Sequence, residues 1–191
     1  MNHYARALCV ISFVMFGVGV NAQSTSQEWE NFEVLAEYLS RGSGHWVGEN
    51  ENHDPSNERS PEAFGLWFER PLPALLTLKI VAYMKDTVLI SSQGTFNWHP
   101  IKQQVIHSMS DRGNGYADGF TSFPNDSTFI SVMQIYRPDG SSYDHKDENF
   151  IVDEDMHRNT SYAKDEDGNW VERGNWIWRR KQHSLARHTL E

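Results

Sequence analysis

The sequence predicts an all-β fold: a closed antiparallel up-and-down β-barrel of about ten strands with one N-terminal α-helix. One amphipathic helical pattern stands near the start, and short runs that alternate apolar and polar residues follow it up to Arg179. Turn-forming residues separate these runs. A barrel is predicted because closure removes exposed strand edges, and short turns suit the pairing of neighbouring strands.

The first 22 residues have the layout of a secretory signal. Arg6 precedes an apolar run at 7–20, and small residues at 20–22 offer a cleavage site after Ala22. The apolar run is shorter than the roughly 20 residues that a membrane-spanning helix needs. We therefore expect a secreted or periplasmic protein that has no stable membrane insertion after cleavage.

Composition narrows the chemistry of the mature chain. The single cysteine, Cys9, lies within the signal, so no thiol remains for a disulfide, a thiolate metal site or a cysteine nucleophile. The net charge of -9 becomes -10 when Arg6 leaves with the signal. This acidic balance argues against a nucleic-acid partner, which requires a basic surface.

The predicted helix begins after the capping residues at 24–26 and ends at 40–42. Its apolar stripe consists of Trp29, Phe32, Leu35, Ala36 and Leu39. The alternating runs that follow are 45–49, 63–69, 76–85, 88–98, 103–110, 116–123, 128–136, 142–152, 158–164 and 170–179. The predicted organisation is a signal at 1–22, a helical segment at 23–43, the barrel at 44–182 and a tail at 183–191.

A tryptophan motif and two arginines suggest a family. Gly44-His45-Trp46 opens the first strand directly after the helix, and Arg179 and Arg180 end the last one. This resembles the calycin superfamily, the lipocalin-like barrels, in which a glycine-x-tryptophan packs beneath an arginine or lysine of the final strand. The resemblance implies a structural signature of Gly44, Trp46, Arg179 and Arg180, with an indole closing one barrel end under a guanidinium.

The chain also resembles, over most of residues 35 to 180, uncharacterised secreted lipocalin-like proteins of bacteria. In these proteins a tryptophan and a nearby proline mark the turn after a mid-barrel strand, as Trp98-His99-Pro100 does here. We therefore interpret His99 as a turn residue, in keeping with the extended backbone that a following proline favours.

Inward-facing residues follow from the parity of each run. His107 shares parity with Val105 and Met109, so its imidazole is expected to point into the barrel, where it could contact a bound molecule. A barrel of this size can hold one small ligand. The candidate ligand-binding residues are Phe64, Leu66, Phe68, Leu78, Ile80, His107, Met109, Met133 and Trp176.

These residues predict noncovalent binding of a small, largely apolar molecule, with no cofactor, no metal and no assigned catalytic residue. One alternative is a barrel filled by its own side chains. Another is an enzyme on a small exported metabolite that uses His107 or a carboxylate as general acid/base. A resemblance of the tryptophan motif to nitrobindins implies haem binding through His107 or His157. A partner-binding scaffold would expose an apolar patch that includes Trp67.

Acidic residues and histidine cluster in two runs, 144–148 and 153–157, without the spacing of a metal site. Only alternate residues of a strand share a face, so such a run does not present all its side chains to one ion. Since the acidic residues concentrate in loops, we expect most of the carboxylates to be solvated.

Overall fold

The computed structural model describes residues 26–181, so the predicted signal at 1–22 and residues 182–191 lie outside the described residues. This part of the chain forms one helix and ten strands. They are α1 (Gln27–Ser40), β1 (His45–Glu49), β2 (Ala63–Leu72), β3 (Leu75–Tyr83), β4 (Val88–His99), β5 (Gln104–Asp111), β6 (Tyr116–Asn125), β7 (Thr128–Tyr136), β8 (Ser142–Asp153), β9 (Met156–Lys164) and β10 (Trp170–Arg180). None of the helices within 26–181 is long and apolar enough to cross a membrane.

The ten strands close into one antiparallel barrel, as the sequence predicts. Each strand pairs with its neighbours in the chain, and β1 closes the ring by pairing with β10. The seam between β1 and β10 is short, because its register joins only Trp46 to Arg180 and Val47 to Arg179. Each of the ten strands is thereby paired on both sides.

Two strands extend two or more residues beyond their predicted C-terminal ends, and each contains a proline. β2 continues past Pro71 to Leu72, and β6 continues past Pro124 to Asn125. The pairing register shifts in both places. A proline is tolerated in a strand at such irregular positions because no ladder hydrogen bond needs its missing N–H.

The helix α1 closes one end of the barrel. Ser26 caps it, since its Oγ accepts a hydrogen bond from the Trp29 backbone N–H at 3.3 Å. The predicted apolar stripe faces the barrel, and Phe32 and Leu39 are fully buried. These side chains join a core that contains Trp46, Phe68, Leu76, Phe96, Val105, Phe129 and Trp178.

Trp46 and Arg180 meet at this closed end. The Trp46 indole is fully buried and donates a hydrogen bond from Nε1 to the Leu39 carbonyl at 2.9 Å. The Arg180 guanidinium lies 4.1 Å from the centroid of the Trp46 ring, whereas Arg179 is exposed. Of the two arginines, Arg180 therefore occupies the position over the indole.

Gly44 is required where α1 leads into β1. Its φ angle is +64°, and a Cβ atom built there would lie 2.0 Å from the Phe68 carbonyl oxygen. Only glycine combines this backbone conformation with such a close approach of another chain segment. Gly44 thus sets the path by which Trp46 enters the barrel.

Candidate ligand-binding cavity

The barrel encloses a cavity of about 300 Å³. It extends from Trp178 and His157, near the end covered by α1, to Phe64, Met109 and His145 further along the barrel. This volume is at the small end of the range of about 300–1,000 Å³ typical of small-molecule sites. The interior is therefore partly hollow and has room for a compact molecule.

One side of the cavity is apolar, and half of its side chains are aromatic. The Phe64 ring meets the Trp176 ring edge-on with centroids 5.2 Å apart, and Trp176 stacks on Trp178 at 5.6 Å. These side chains face inward because alternate residues of a strand share a face. We call this side the apolar wall; it consists of Phe64, Leu66, Phe68, Leu78, Ile80 and Trp176.

The facing side is polar and is built by β7, β8 and β9. Pairing places Asp147 beside Ser131 on one neighbouring strand and beside Ser161 on the other. Asn149 and Asn159 are directly paired one step closer to the helix. We call this side the polar wall; it consists of Ser131, His145, Asp147, Asn149, Asn159 and Ser161.

Asp147 is the centre of the polar wall. Its Oδ1 accepts hydrogen bonds from the Ser161 hydroxyl and from Asn159 Nδ2, the latter at 3.3 Å. Its Oδ2 lies 3.1 Å from His145 Nε2. Burial raises the pKa of Asp147, but the hydrogen bond and charge of His145, with the bonds from Ser161 and Asn159, outweigh it and hold the pKa below its usual value. Asp147 is thus an ionised carboxylate inside the barrel.

His107 faces the same cavity without a protein partner. It is 4% exposed and stacks on Phe96 with ring centroids 4.0 Å apart. Neither of its ring nitrogens has a hydrogen-bond partner among residues 26–181. Burial lowers the pKa of His107 to about 4, and the charge of Asp147 opposes this shift only in part. At neutral pH the imidazole is therefore uncharged, with one donor and one acceptor nitrogen.

His157 lies at the closed end of the cavity. Its ring meets the Trp46 ring edge-on at 4.7 Å, and its Nδ1 has no hydrogen-bond partner within the described chain. Burial, with a smaller contribution from the Arg180 charge, lowers the pKa of His157 to about 3. This second histidine is also neutral at neutral pH.

Eight of the nine candidate residues lie in the cavity wall. The ninth, Met133, is buried in β7 but is not part of the lining. The eight are Phe64, Leu66, Phe68, Leu78, Ile80, His107, Met109 and Trp176. His99 ends β4, where its Nδ1 accepts a hydrogen bond from the Lys102 backbone N–H at 3.3 Å.

Sequence reasoning missed the polar wall. Along β8 both faces are polar, since His145 and Asp147 alternate with residues such as Lys146 and Glu148, so parity did not identify the inner face. The expectation that carboxylates are solvated in loops is wrong for Asp147. A signal for the polar wall does exist in the sequence: polar residues occupy alternate positions on two strands that pair with each other. They are His145, Asp147 and Asn149 on β8 and His157, Asn159 and Ser161 on β9.

The clustered ligands of a metal site are not brought together. Across residues 26–181 there is no group of three or more His, Cys, Asp or Glu side chains that could hold a metal ion. The run at 144–148 is divided between two faces: His145 and Asp147 line the cavity, whereas Asp144 pairs with Lys164 and Glu148 with Lys146.

No protein-family model matches the chain, and no curated protein matches it significantly. The class is therefore defined by architecture: a closed ten-stranded antiparallel barrel with one helix, which is compatible with a calycin or lipocalin-like fold.

Proposed function

We propose that this protein is an exported, lipocalin-like binder of a small, mostly apolar molecule that sits noncovalently in the barrel. The observation that carries the proposal is the cavity of about 300 Å³ inside the barrel, with one apolar wall and one polar wall. Contact with the apolar wall stabilises a ligand by about 25 cal/mol per Å² of apolar surface removed from water. The few polar groups opposite would fix its orientation.

Two further features support a lipocalin-like protein that is exported. The clamp of Trp46 under Arg180 matches the arrangement that the family resemblance implies. The pattern of residues 1–22, with Arg6 before an apolar run and small residues at the cleavage site, supports export.

The cavity favours a small, compact ligand over haem. His107 and His157, the two histidines considered for haem, are each packed against an aromatic ring in a cavity of small volume. A porphyrin is a wide, rigid plate, and a compact molecule suits this space better.

A partner-binding scaffold would expose Trp67 in an apolar patch, but Trp67 is partly covered. Its side chain is partly buried, its Nε1 donates to the Tyr83 hydroxyl at 3.2 Å, and its ring stacks on His45. These contacts cover the indole on the outside of the barrel.

A second candidate function is acid-base chemistry on the bound molecule. One observation favours it: the unpartnered imidazole of His107 shares a cavity with the partly buried carboxylate of Asp147. A neutral imidazole is in the protonation state that a general base needs, and the lowered pKa of His107 makes it a weak base at neutral pH. Turnover of the copurifying molecule by wild type, lost in His107→Ala while binding is kept, would support an enzyme; binding without turnover supports a carrier.

The binding proposal is tested by filling the cavity. Met109 lines it, whereas Ser110, the next residue of β5, is exposed. In a fluorescence titration with the small uncharged dye N-phenyl-1-naphthylamine, we expect Met109→Trp to weaken binding at least about tenfold, a loss of about 1.4 kcal/mol. Ser110→Trp should bind like wild type. Equal affinity in all three proteins would place the dye outside the barrel and contradict the proposal.

Native mass spectrometry of the protein purified from its own host addresses the natural ligand. We expect a noncovalent adduct that dissociates on mild collisional activation and that Met109→Trp does not retain.

A further inference from the structure

We infer that the natural ligand is an uncharged molecule with a hydroxyl head group, held between His107 and the polar wall, and that the cavity discriminates against anions. This inference rests on the proposed binding function and specifies the class of ligand.

Buried imidazole nitrogens in the cavity wall leave hydrogen bonds open within residues 26–181. Both ring nitrogens of His107, and Nδ1 of His157, are buried and unpartnered within residues 26–181. Leaving a buried polar group unsatisfied costs about 1–3 kcal/mol. Such groups in a cavity wall indicate that another molecule supplies the missing partner. A hydroxyl suits a neutral imidazole because it can donate to one nitrogen or accept from the other.

The polar groups that a ligand head group would meet lie on β5 and β8. His107 on β5 and the His145 and Asp147 pair on β8 line the same cavity. The apolar wall on β2, β3 and β10 lies opposite. A molecule with one polar end would therefore place that end between β5 and β8 and its body against Phe64 and Trp176.

The charged residues of the cavity lining disfavour an anionic ligand. No lysine or arginine belongs to the described cavity lining. The lining carries one carboxylate, Asp147, and the one histidine next to it, His145, already contacts Asp147 through Nε2. A ligand carboxylate would lose its water shell beside Asp147 without a free cation to replace that shell, which is strongly unfavourable.

An ammonium head group is also disfavoured. Asp147 already receives hydrogen bonds from Ser161 and Asn159 at Oδ1 and contacts His145 through Oδ2, so both of its oxygens are engaged. An ammonium group would give up its hydration for a carboxylate that is already occupied, and it has no acceptor to offer a donor nitrogen of His107. An uncharged head group avoids both costs.

The test uses four probes with the same body: naphthalene and its hydroxyl, carboxylate and aminomethyl derivatives, the last three substituted at the same ring carbon. Isothermal titration calorimetry at about pH 7 is expected to show naphthol binding at least about tenfold tighter than the other three, the equivalent of about 1.4 kcal/mol. Naphthoate or naphthylmethylamine binding as tightly as naphthol would overturn the head-group inference, and so would naphthalene.

Two variants locate the effect, each with a matched control. His107→Phe keeps a ring against Phe96 but removes both nitrogens, so it should lower naphthol affinity about tenfold and leave naphthalene unaffected; His99→Phe, outside the cavity, should change neither. Asp147→Asn should strengthen naphthoate binding, whereas Asp144→Asn, outside the lining on the same strand, should not. Circular dichroism checks folding, and if a variant fails to fold the four-probe series on wild type decides.

The outcomes separate the inference from the proposal it rests on. If neither N-phenyl-1-naphthylamine nor any of the four probes binds, the binding function is wrong. If all four probes bind with similar affinity, the binding function stands and the head-group inference is wrong.

Discussion

Arg180 joins three parts of the molecule through one side chain. Its guanidinium covers Trp46, Nε donates to Asp155 Oδ1 at 2.9 Å, and one terminal nitrogen donates to the Tyr38 carbonyl at 2.7 Å. Only 7% of the side chain is exposed. β10, the β8–β9 turn and α1 are therefore held together by a charged group whose three nitrogens each donate to a fixed acceptor.

We expect Arg180→Ala to lower the free energy of unfolding by about 2–4 kcal/mol, because it uncovers the buried indole and leaves partly buried acceptors unpaired. Arg179→Ala, at the exposed neighbouring position, should change it by no more than about 0.5 kcal/mol. Urea unfolding followed by tryptophan fluorescence measures both. Similar losses in the two variants would contradict the clamp.

The neutral histidines predict how stability depends on pH. The pKa of His107 is about 4 in the folded protein, whereas a histidine in an unfolded chain has a pKa near 6.5. Below about pH 6.5 the unfolded chain therefore binds a proton that the folded chain does not, and stability falls as the pH drops toward 4. Above about pH 6.5 this stability is fully present.

We expect His107→Phe to lose about 2 kcal/mol less stability than wild type between about pH 7 and pH 4.5. Urea unfolding at several pH values measures the slope, and His99→Phe should keep that of wild type. Asp147 does not disturb the comparison, because its lowered pKa affects stability only below about pH 4. A slope unchanged in His107→Phe would show that the imidazole is not held neutral.

At the scale of elements, α1 acts as a lid on one barrel end, and its two faces predict opposite sensitivities. Phe32 is fully buried, whereas Val34 is 61% exposed on the same helix. Phe32→Ala should lower the unfolding free energy by about 3–5 kcal/mol, since it opens a void beneath the helix. Val34→Ala should stay within about 0.5 kcal/mol of wild type. Thermal and urea unfolding compare them, and an equally mild Phe32→Ala would mean that the helix is only loosely seated.

The elements also show where sequence reasoning succeeds. Strands with one apolar face, such as β3, were identified with their inner residues because period-two alternation reports burial directly. Over most of β8 the alternation sets polar against polar, and the large apolar residue Phe150 is 51% exposed on the outside. Parity alone therefore could not assign Asp147 to the interior.

The meeting of His107 with the His145 and Asp147 pair lay beyond the sequence for a different reason. These residues are on strands that do not pair with each other, β5 and β8. Their proximity follows from closure and from the register of every strand between them, and a local pattern specifies neither.

At the scale of the whole molecule, the cylinder is closed by its shortest ladder. β1 and β10 pair through Trp46 and Val47 only, whereas the ladder of β2 and β3 runs from Ala63 to Leu72. Local opening is expected where few backbone hydrogen bonds must break.

Hydrogen exchange followed by mass spectrometry tests this expectation. Peptides that cover β1 should take up deuterium at least about tenfold faster than peptides that cover β3, which corresponds to an opening free energy lower by about 1.4 kcal/mol. Arg180→Ala should widen this gap. Uniform exchange around the barrel would instead mean that the ring opens only by global unfolding.

The seam also determines when the protein can fold. Its two strands come from opposite ends of the described chain. The Trp46 indole therefore lacks the Arg180 guanidinium that covers it until the last strand has left the ribosome. A nascent chain that stops before Arg180 would keep two open strand edges, the condition under which β proteins associate with one another. Synthesis from the N-terminus thus gives this protein no early closed intermediate, and completion of the ring is a final, chain-wide event.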